Sequence, residues 1–376
     1  MRIVLSGGGT GGHATPIIAL STALRQLAPS TELHYIGSGN QLEQTLAKST
    51  GLTYYAISSG KYRRYGRGIG EVTDVSTAFK NTKDGISFIK GIAQARSLLK
   101  KINPDVVFVK GGYVGLPVGL AARSLHIPLI IHESDVIMGL TNRILSRSAR
   151  VIATGFPVEA YHEKLASKLT FVGNLVRDEF YHRSSSLKYH TKRPIIVILG
   201  GSSGARHINQ VIWEALPGLI NQYHVIHQTG EHSIAEAEQI QAKLTPLLRQ
   251  HYQPVAFIAT NIALTMESAE VIVSRAGANA IAELAALKKP SILIPLANSA
   301  NNHQAANAAF VAHQGAARVI LEPDLTPQAI NQTIDSLMKH SRDRHELSRA
   351  IGRLATPSAA NSLADIIIHQ AQGIES

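Results

Sequence analysis

A glycine-rich turn with a histidine directly behind it opens the chain, in the segment LSGGGTGGHATP at residues 5–16. The spacing G-x-G-x-x-G, which starts at Gly7, is typical of turns that hold the phosphates of a nucleotide. Glycines let backbone N–H groups approach an anion closely, and a helix beginning near Pro16 would add the positive end of its dipole. The segment predicts an anion-binding loop with His13 at its rim, where a neutral imidazole is able to accept a proton.

The two commonest uses of such a turn lack their other residues here. A dinucleotide site needs an acidic residue at the end of the second strand, but the predicted strand ELHYIG is followed by Ser38 and Gly39. A triphosphate-binding loop needs Gly-Lys-Ser/Thr directly after the glycines, and that triplet is missing. The loop is therefore predicted to hold a phosphate group of another kind of ligand.

More glycine loops follow other predicted strands. They lie at residues 111–115, 200–204 and 274–277, with Gly155 as a further candidate. Tight turns and close helix packing explain any one glycine, but they explain five clustered positions poorly. Because the carboxyl ends of parallel strands meet at one edge of a sheet, these loops are predicted to line a ligand crevice.

Acidic side chains stand where acid–base chemistry or sugar binding is expected. The strand PLIIHE ends in His132 and Glu133 and leads on to Asp135, and a buried strand has little structural reason to end in charged residues. His13 and Glu133 are both candidate general bases. In the second half, Glu283 lies early in a predicted helix, where a carboxylate is able to accept two hydrogen bonds from a ligand. The alternative is an ordinary first-turn acid that stabilises the helix dipole.

The composition limits the class of protein. The 376 residues carry 37 Lys and Arg against 26 Asp and Glu, a formal net charge of +11. This excess favours a polyanionic partner, such as nucleic acid, an anionic membrane face or a phosphorylated substrate, over a purely solubilising charge. No apolar run reaches the roughly 18 residues of a transmembrane helix, and the N-terminus does not resemble a signal peptide. The absence of cysteine excludes disulfides and thiolate metal sites and favours a cytosolic location.

Short apolar strands alternate with longer helical patterns, and the alternation restarts at PIIVILGGSSGARHINQVI, with HVIHQTG, VAFIA, VIVSRAG and SILIPLA as further strands. This rhythm predicts an α/β fold with two Rossmann-like, doubly wound parallel-sheet domains that face a cleft. We place the N-terminal domain at residues 1–176 and the C-terminal domain at 177–349. A last helix, at about 350–372, is predicted to pack back on the first domain.

Eight motifs then stand in a characteristic order, from residue 3 to beyond 320: SGGGTGGH, KGGYVGLPVGLAA, HESD with GLTNR, GNLVRDEF, GGSSGARHIN, HQTG, SRAGANAIAE and HQAANA. In this order and spacing the chain resembles the MurG family, the undecaprenyldiphospho-muramoylpentapeptide β-N-acetylglucosaminyltransferases of peptidoglycan synthesis. The resemblance implies the GT-B fold of glycosyltransferase family 28. It also implies an inverting transfer of N-acetylglucosamine from UDP-GlcNAc to the muramoyl 4-hydroxyl of lipid I, which yields lipid II and UDP.

The resemblance implies roles for single residues as well. His13 or Glu133 would be the general base. Glu283 would hold the ribose, Ile258 would contact uracil through its backbone, and Gln304 would contact the donor sugar. The expected substrate-binding residues are Thr10, Gly11, Gly12, Tyr113, Asp135, Arg177, Ser202, Ile258, Ala278, Asn279, Ala280, Glu283 and Gln304. The chain departs from the family pattern at three positions, where Asp replaces a frequent Asn, Ala replaces a common Thr and Leu replaces the usual Pro: Asp135, Ala280 and Leu175.

No Asp-x-Asp pair is placed to hold a metal-bound nucleotide diphosphate. We therefore expect no tightly bound cofactor and no metal site, with loosely bound Mg²⁺ as the alternative. The charge of the leaving group would then be met by helix N-termini and backbone amides.

A basic segment with apolar neighbours suggests contact with a membrane. The densest basic run, KYRRYGR at 61–67, precedes Phe79, Ile86, Ile89 and Ala93 at helical spacing. Most such faces are core with a solvated rim. Since the acceptor implied by the resemblance is anchored in a bilayer, we instead expect peripheral binding to the anionic inner leaflet, at the cytoplasmic face of the bacterial cell membrane.

Three alternatives stay open at this stage. Two are other proteins of similar fold, namely a GT-B glycosyltransferase with another lipid acceptor such as diacylglycerol, and a UDP-GlcNAc 2-epimerase. The third is a basic nucleic-acid-binding protein, which the charge and the tyrosines Tyr62 and Tyr65 among arginines would suit. The chain lacks recognised nucleic-acid-binding modules, so we expect no nucleic-acid partner.

Overall fold

The chain divides into two compact units, which we call the first and the second unit. The first contains Met1–Ser134, Met138–Arg177 and Ser358–Ser376, and the second contains Asp135–Ile137 and Asp178–Pro357. The structure, a computed structural model, describes residues 1–8, 11–60, 75–182, 189, 191–200, 205–258, 261–297 and 299–374. It describes the backbone alone at 11–15, 75–84, 163–164 and 300.

A parallel sheet of seven strands forms the centre of the first unit. The strands are β1 (Arg2–Ser6), β2 (Glu32–Gly37), β3 (Thr53–Ala56), β4 (Val106–Val109), β5 (Leu129–Glu133), β6 (Val151–Thr154) and β7 (Leu169–Phe171). They lie in the order β3-β2-β1-β4-β5-β6-β7. The helices between them are α1 (Gly11–Leu27), α2 (Gln41–Ser49), α3 (Val75–Ile102), α4 (Gly112–Ser124) and α5 (Leu140–Leu145).

A six-stranded parallel sheet forms the centre of the second unit. Its strands are β8 (Ile195–Leu199), β9 (His224–Gln228), β10 (Tyr252–Val255), β11 (Val271–Ser274), β12 (Ser291–Leu293) and β13 (Arg318–Val319), in the order β10-β9-β8-β11-β12-β13. Its helices are α6 (Arg206–Ile220), α7 (Ile234–Lys243), α8 (Pro246–Arg249), α9 (Ile262–Ser268), α10 (Ala278–Leu287), α11 (His303–His313), α12 (Pro327–Lys339) and α13 (Ser341–Gly352). The last helix, α14 (Ala359–Ala371), belongs to the first unit, where it packs on α1.

The central strands are apolar on both faces because helices cover both sides of each sheet. Ile3 and Leu5 of β1 pack in one core cluster with residues of α1 and α14, whereas Val4 packs in another with residues of α3 and α4. In the second unit, Ile196 and Ile198 of β8 pack with residues of α6 and α12. The continuous apolar runs in the sequence are therefore buried parallel strands.

The strand order places the glycine loops at one kind of position in both units. In the first sheet β1 lies beside β4, and in the second sheet β8 lies beside β11, with the following strands continuing in opposite directions from each pair. At such a switch point the loops that leave the carboxyl ends diverge, and ligands of open α/β sheets bind in the resulting crevice. The loops after β1, β4, β8 and β11 are the ones that carry glycine motifs.

The predicted α/β fold with two doubly wound parallel sheets is confirmed. The start of α1 is corrected, because the helix begins at Gly11 rather than near Pro16, and His13 therefore lies inside its first turn. Pro16 has no N–H to offer the carbonyl of Gly12, and the helix continues through it with that one bond missing.

The division into units differs from the predicted domain boundaries in three places. Arg177 belongs to the first unit, whereas Asp135–Ile137 belong to the second. The residues from 350 to 357 stay with the second unit, since the helix that joins the first unit begins only at Ala359. Asp135 and Val136, for example, bond to Asn307, 172 and 171 positions away, and local composition does not reveal such a contact.

Candidate active site

The loops after β1 and β4 touch each other. Gly112 begins α4 with a φ of 79°, and a Cβ atom there would lie 2.3 Å from the carbonyl oxygen of Gly8. A Cβ atom on Gly8 would in turn lie 2.1 Å from Oε1 of Glu43. A Cβ atom at 112 would collide with backbone and one at 8 with the Glu43 carboxylate, so glycine at both positions allows the two loops to meet at the switch point of the first sheet.

A buried carboxylate that sequence reasoning missed supports the first loop. Glu43 is fully buried, and it accepts hydrogen bonds from the Ser38 N–H at 2.6 Å, from Asn40 Nδ2 at 2.8 Å and from the Tyr54 hydroxyl at 3.0 Å. Asn40 caps α2 and Glu43 stands three residues later, the spacing of a capping box, and this signal would have revealed it. These bonds hold the Glu43 carboxylate against Gly8. The carboxylate therefore supports the loop and is not placed to bind a ribose.

Glu133, one of the two candidate bases, ends β5 and is 4% exposed. Its Oε2 accepts hydrogen bonds from the Gly139 N–H and from Asn142 Nδ2, both at 2.9 Å. Asn142 also donates to the carbonyl of His132 at 2.9 Å. The carboxylate of Glu133 thus holds the turn that leads from β5 into α5.

A buried chain of polar groups fixes the segment that carries Glu133. His132 is fully buried, with Nε2 donating to the Gly173 carbonyl at 2.9 Å and Nδ1 accepting from Lys110 Nζ at 2.8 Å. Lys110 Nζ also donates to the hydroxyl of Ser134. Burial and the neighbouring Lys110 charge hold the pKa of His132 well below its usual value, so the ring is neutral and able to accept this bond.

The predicted residues of α1 and α4 lie at the carboxyl edge of the first sheet. Residues 11–13, which include His13, form the first turn of α1, and Tyr113 lies half-buried in the first turn of α4. Thr10 and the basic run at 61–67 lie outside the described residues. The structure therefore brings two helix N-termini and the end of β5 to one edge.

Asp135, which we predicted within the N-terminal domain, is held by residues of the second unit. Its Oδ1 accepts a hydrogen bond from Asn307 Nδ2 at 2.7 Å, and Asn307 Oδ1 accepts from the Val136 N–H at 2.9 Å. Asn307, in α11, is fully buried and also donates to the Ala276 carbonyl at 3.2 Å. This carboxylate therefore anchors its own segment, and a contact with substrate stays a prediction.

Helix α10 follows β11, one of the two strands at the switch point of the second sheet. Gly277 is its N-cap, and the predicted nucleotide-lining residues 278–280 form its first turn, at the positive end of the helix dipole. Glu283 lies in the second turn, so the alternative of an ordinary first-turn acid is wrong. Ser202 lies outside the described residues.

The backbone N–H of Ile258 is already engaged within the second unit. It donates to Oε1 of Gln228, the last residue of β9, at 3.1 Å. While this hydrogen bond persists, a nucleobase that contacts the backbone of Ile258 can use only its carbonyl oxygen, which accepts a hydrogen bond. The expected contact with uracil is thereby narrowed to one atom.

The orientation of the Gln304 amide is fixed by a backbone group. Gln304 lies in the first turn of α11, and its Oε1 accepts a hydrogen bond from the Leu296 N–H at 3.0 Å. Because an N–H only donates, the oxygen must face Leu296, and the bond leaves Nε2 as a donor.

Arg177, the last predicted contact, ends the first unit and is half-buried.

A second buried polar chain joins α6 to the end of β9. Trp213 Nε1 donates to the Tyr252 hydroxyl at 3.0 Å, which lies 3.1 Å from His227 Nδ1. His227 Nε2 donates to Asn209 Oδ1 at 3.1 Å, and Asn209 Nδ2 donates to the Thr229 carbonyl at 2.8 Å. Burial lowers the pKa of His227 to about 3, so the ring stays neutral.

This histidine makes the stability of the second unit depend on pH. Between its ordinary pKa of 6.5 and its folded value of about 3, the unfolded chain binds a proton that the folded chain excludes, so stability falls as the pH falls. We expect a loss of about 2 kcal/mol at pH 5 from this residue alone. The fluorescence of Trp213, the single tryptophan, reports urea unfolding of this unit at pH 7 and pH 5.

His227→Gln should remove about 2 kcal/mol of the difference between the two pH values, because glutamine does not titrate. The exposed His232→Gln serves as the matched control. An unchanged pH dependence in His227→Gln would contradict the assignment of the slope to this ring.

Comparison with known proteins gives the family. The glycosyltransferase family 28 N-terminal domain matches residues 3–154, and the C-terminal domain of that family matches residues 195–366. A protein of Lachnospira eligens, named UDP-N-acetylglucosamine--N-acetylmuramyl-(pentapeptide) pyrophosphoryl-undecaprenol N-acetylglucosamine transferase, is 38% identical over 351 residues, which cover 92% of each chain. The chain belongs to glycosyltransferase family 28.

Other similar proteins match nearly the whole chain. A Bacillus cytotoxicus protein with the same name is 35% identical over 374 residues, 98% of each chain. The crystal structure of Acinetobacter baumannii MurG is 28% identical, with a TM-score of 0.73 over 98% of this chain and 99% of that one. The predicted resemblance to MurG is confirmed, and this family 28 chain is a glycosyltransferase.

The fold by itself does not separate a family 28 transferase from other enzymes. A putative UDP-N-acetylglucosamine 2-epimerase from Listeria monocytogenes has a TM-score of 0.72 over 100% of this chain and 97% of that one, at 11% identity. That likeness shows a shared fold alone. The distinction depends on the family matches over residues 3–154 and 195–366 and not on the fold.

Proposed function

We propose that the chain is the inverting N-acetylglucosaminyltransferase that moves the sugar of UDP-GlcNAc to the muramoyl 4-hydroxyl of lipid I, yielding lipid II and UDP. A relative named for this transferase activity is 38% identical over 92% of the chain, and this observation carries the proposal. The geometry supports it, because each unit has glycine loops and a helix N-terminus at the switch point of its sheet. Such edges suit the phosphates of a nucleotide sugar and of a lipid diphosphate.

The second unit binds the donor in this proposal. The first turn of α10 and the loop that contains Ser202 meet the diphosphate of UDP-GlcNAc. Glu283 accepts the two ribose hydroxyls, and the Ile258 carbonyl accepts the N3–H of uracil. Gln304 donates from Nε2 to an oxygen of the sugar, which agrees with the amide orientation that Leu296 imposes.

The first unit binds lipid I and supplies the base. His13 lies in the first turn of α1, and a neutral imidazole is able to accept a proton. It takes the proton of the 4-hydroxyl while that oxygen attacks the anomeric carbon from the face opposite UDP, so the configuration inverts. Glu133 is the alternative base, but its Oε2 already holds the turn after β5 through Gly139 and Asn142.

The bond from the anomeric carbon to the β-phosphate oxygen breaks as the new bond forms, and its electron pair leaves with UDP. Helix N-termini and loop amides stabilise the charge that develops on the diphosphate. Among the described residues, no group of three or more His, Asp or Glu side chains is placed to hold a metal ion. We propose that no tightly bound cofactor takes part, with loosely bound Mg²⁺ as the alternative.

An acceptor-dependence assay tests the function. The protein is incubated with UDP-GlcNAc and a lipid I analogue, and UDP release is measured with and without the analogue. We expect release only when the analogue is present. Release with diacylglycerol instead would identify another lipid glycosyltransferase, and release without any acceptor would contradict a transferase. Salt-sensitive retention of DNA or RNA on a filter would contradict our expectation of no nucleic-acid partner.

An exposed apolar face on α3 supports a membrane role for the first unit. Ile86 and Ile89 are 68% and 69% exposed, and Lys90 and Ala93 are exposed on the same side of the helix. These isoleucines are therefore not part of the core. No helix in the described ranges has the length and apolar character to cross a bilayer. We propose that this face and the basic run at 61–67 bind the anionic inner leaflet at the cytoplasmic face of the membrane.

Charge reversal in the basic run should abolish this binding. Each Lys or Arg near an anionic leaflet contributes about 1 kcal/mol, so four reversals weaken binding by at least about 10³-fold. The variant carries glutamate at four positions: Lys61, Arg63, Arg64 and Arg67. Co-sedimentation with vesicles that contain anionic lipid measures the effect.

The matched control carries the same four charge reversals on the second unit, at exposed positions: Lys243, Lys339, Arg349 and Arg353. It should still sediment with the vesicles more strongly than the variant of the basic run. Equal losses in both variants would show that net charge alone drives binding. Unchanged sedimentation of the first variant would contradict the proposed surface.

A further inference from the structure

A carboxylate outside every family motif quoted above joins three loops of the second unit. Glu322 lies on a short turn after β13, and its side chain is 12% exposed. Its Oε1 accepts a hydrogen bond from Arg275 Nη2 at 2.7 Å, and its Oε2 accepts from the Ala297 N–H at 2.8 Å. His207, in the first turn of α6, lies 3.6 Å from the same Oε1. The three partners follow β11, β12 and β8, respectively. Glu322 therefore links three segments at the sheet edge where the donor is proposed to bind.

The segment after β12 is held from two sides. Glu322 holds the Ala297 N–H, and Gln304 Oε1 holds the neighbouring Leu296 N–H at 3.0 Å. The Ser299 hydroxyl accepts from the Gln304 N–H at 3.3 Å. The orientation of the Gln304 amide therefore depends on a segment whose position Glu322 fixes.

The charge of Glu322 suits this task. Burial raises the pKa of the carboxyl, but the Ala297 N–H, the Arg275 guanidinium and His207 outweigh burial and hold the pKa below its usual value. The group is therefore ionised at neutral pH. A charged acceptor binds both of its donors more tightly than a neutral one.

We propose that Glu322 is a positioning residue for the donor sugar, because it holds the segment at 295–297 from which Gln304 takes its orientation. The inference rests on the proposed function, in which Gln304 donates to the sugar of UDP-GlcNAc. Glu322 itself touches no substrate. Its removal shifts this segment and frees the Gln304 amide to rotate, while the nucleotide contacts at α10 and Ile258 stay in place.

The test compares two ligands that share the uridine and both phosphates, of which only UDP-GlcNAc carries the sugar. Calorimetry without acceptor gives the affinities for UDP and UDP-GlcNAc in wild type, Glu322→Ala and Glu322→Gln. We expect Glu322→Ala to weaken UDP-GlcNAc binding about tenfold, the order of one or two lost hydrogen bonds, and UDP binding less than about twofold. Glu322→Gln should lie between, because its amide oxygen still accepts one of the two bonds.

A second variant changes the proposed contact between Gln304 and the donor sugar directly. In Gln304→Glu a carboxylate oxygen still accepts from the Leu296 N–H, but the donor toward the sugar becomes an acceptor. It should show the same selective loss for UDP-GlcNAc. Glu346→Gln, which removes an exposed carboxylate paired with Arg342 on α13, is the matched control and should leave both affinities unchanged.

Equal losses of UDP and UDP-GlcNAc affinity in the Glu322 variants would overturn the inference, as would wild-type affinities for both ligands. Circular dichroism checks the fold, and if Glu322→Ala is unfolded, the affinity ratio of Glu322→Gln decides. Failure of the proposed function has a different signature, since it shows in wild type as UDP release that ignores the lipid I analogue.

Discussion

His13→Ala should lower kcat by about 10²–10⁴-fold while the KM for UDP-GlcNAc changes far less. The imidazole takes the acceptor proton in the proposed mechanism, so its loss removes a contribution made in the transition state and not in the binding of the donor. Steady-state kinetics with varied UDP-GlcNAc at saturating lipid I analogue separates kcat from KM.

The exposed His369→Ala, on α14 of the same unit, is the matched control and should keep wild-type kinetics. A rise in KM for UDP-GlcNAc with unchanged kcat would assign His13 to donor binding instead. In that case Glu133 becomes the base, although its Oε2 accepts from Gly139 and Asn142.

Glu283→Ala should raise the KM for UDP-GlcNAc by about 10²-fold or more. A hydrogen bond to a charged group contributes about 1.5–3 kcal/mol, and a carboxylate that accepts two ribose hydroxyls loses both bonds on truncation. The effect on kcat should be smaller, because the ribose is remote from the anomeric carbon. UDP affinity should fall in the same proportion, since the ribose is common to both ligands.

This common loss distinguishes Glu283 from Glu322, whose removal is expected to affect only the sugar. Glu214→Ala, an exposed acid on α6, controls for the lost charge. A truncation at Glu283 that spares UDP and weakens only UDP-GlcNAc would contradict ribose binding.

Sequence reasoning succeeded where one stretch of chain contains the whole signal. The run RIVLS followed by glycines identifies β1 and its loop, and PLIIHE followed by GLTNR identifies β5 and α5. In each case the apolar run, the turn and the next helix are adjacent, so local propensity and tertiary packing agree.

Prediction from the sequence failed where residues distant along the chain decide the bounds of a strand or the partners of a side chain. The apolar run VAFIA at 255–259 predicts a strand, but β10 runs over Tyr252–Val255, with Pro254 tolerated because β10 is an edge strand. Glu322 carries no local signal of its contacts with Arg275 and Ala297, which lie 47 and 25 positions away. Partners at such separations are chosen by the sheet order and not by any pattern in their own segment.

The contact between Gly112 and Gly8 has a consequence for dynamics. Because a Cβ atom at 112 would lie 2.3 Å from the Gly8 oxygen, the two loops share one boundary and neither moves far without displacing the other. Amide hydrogens around 7–8 and 111–112 should therefore exchange with deuterium as one cooperative block. An anion that restricts the motion of one loop would therefore slow hydrogen exchange in the other loop, even where the anion contacts only one of them.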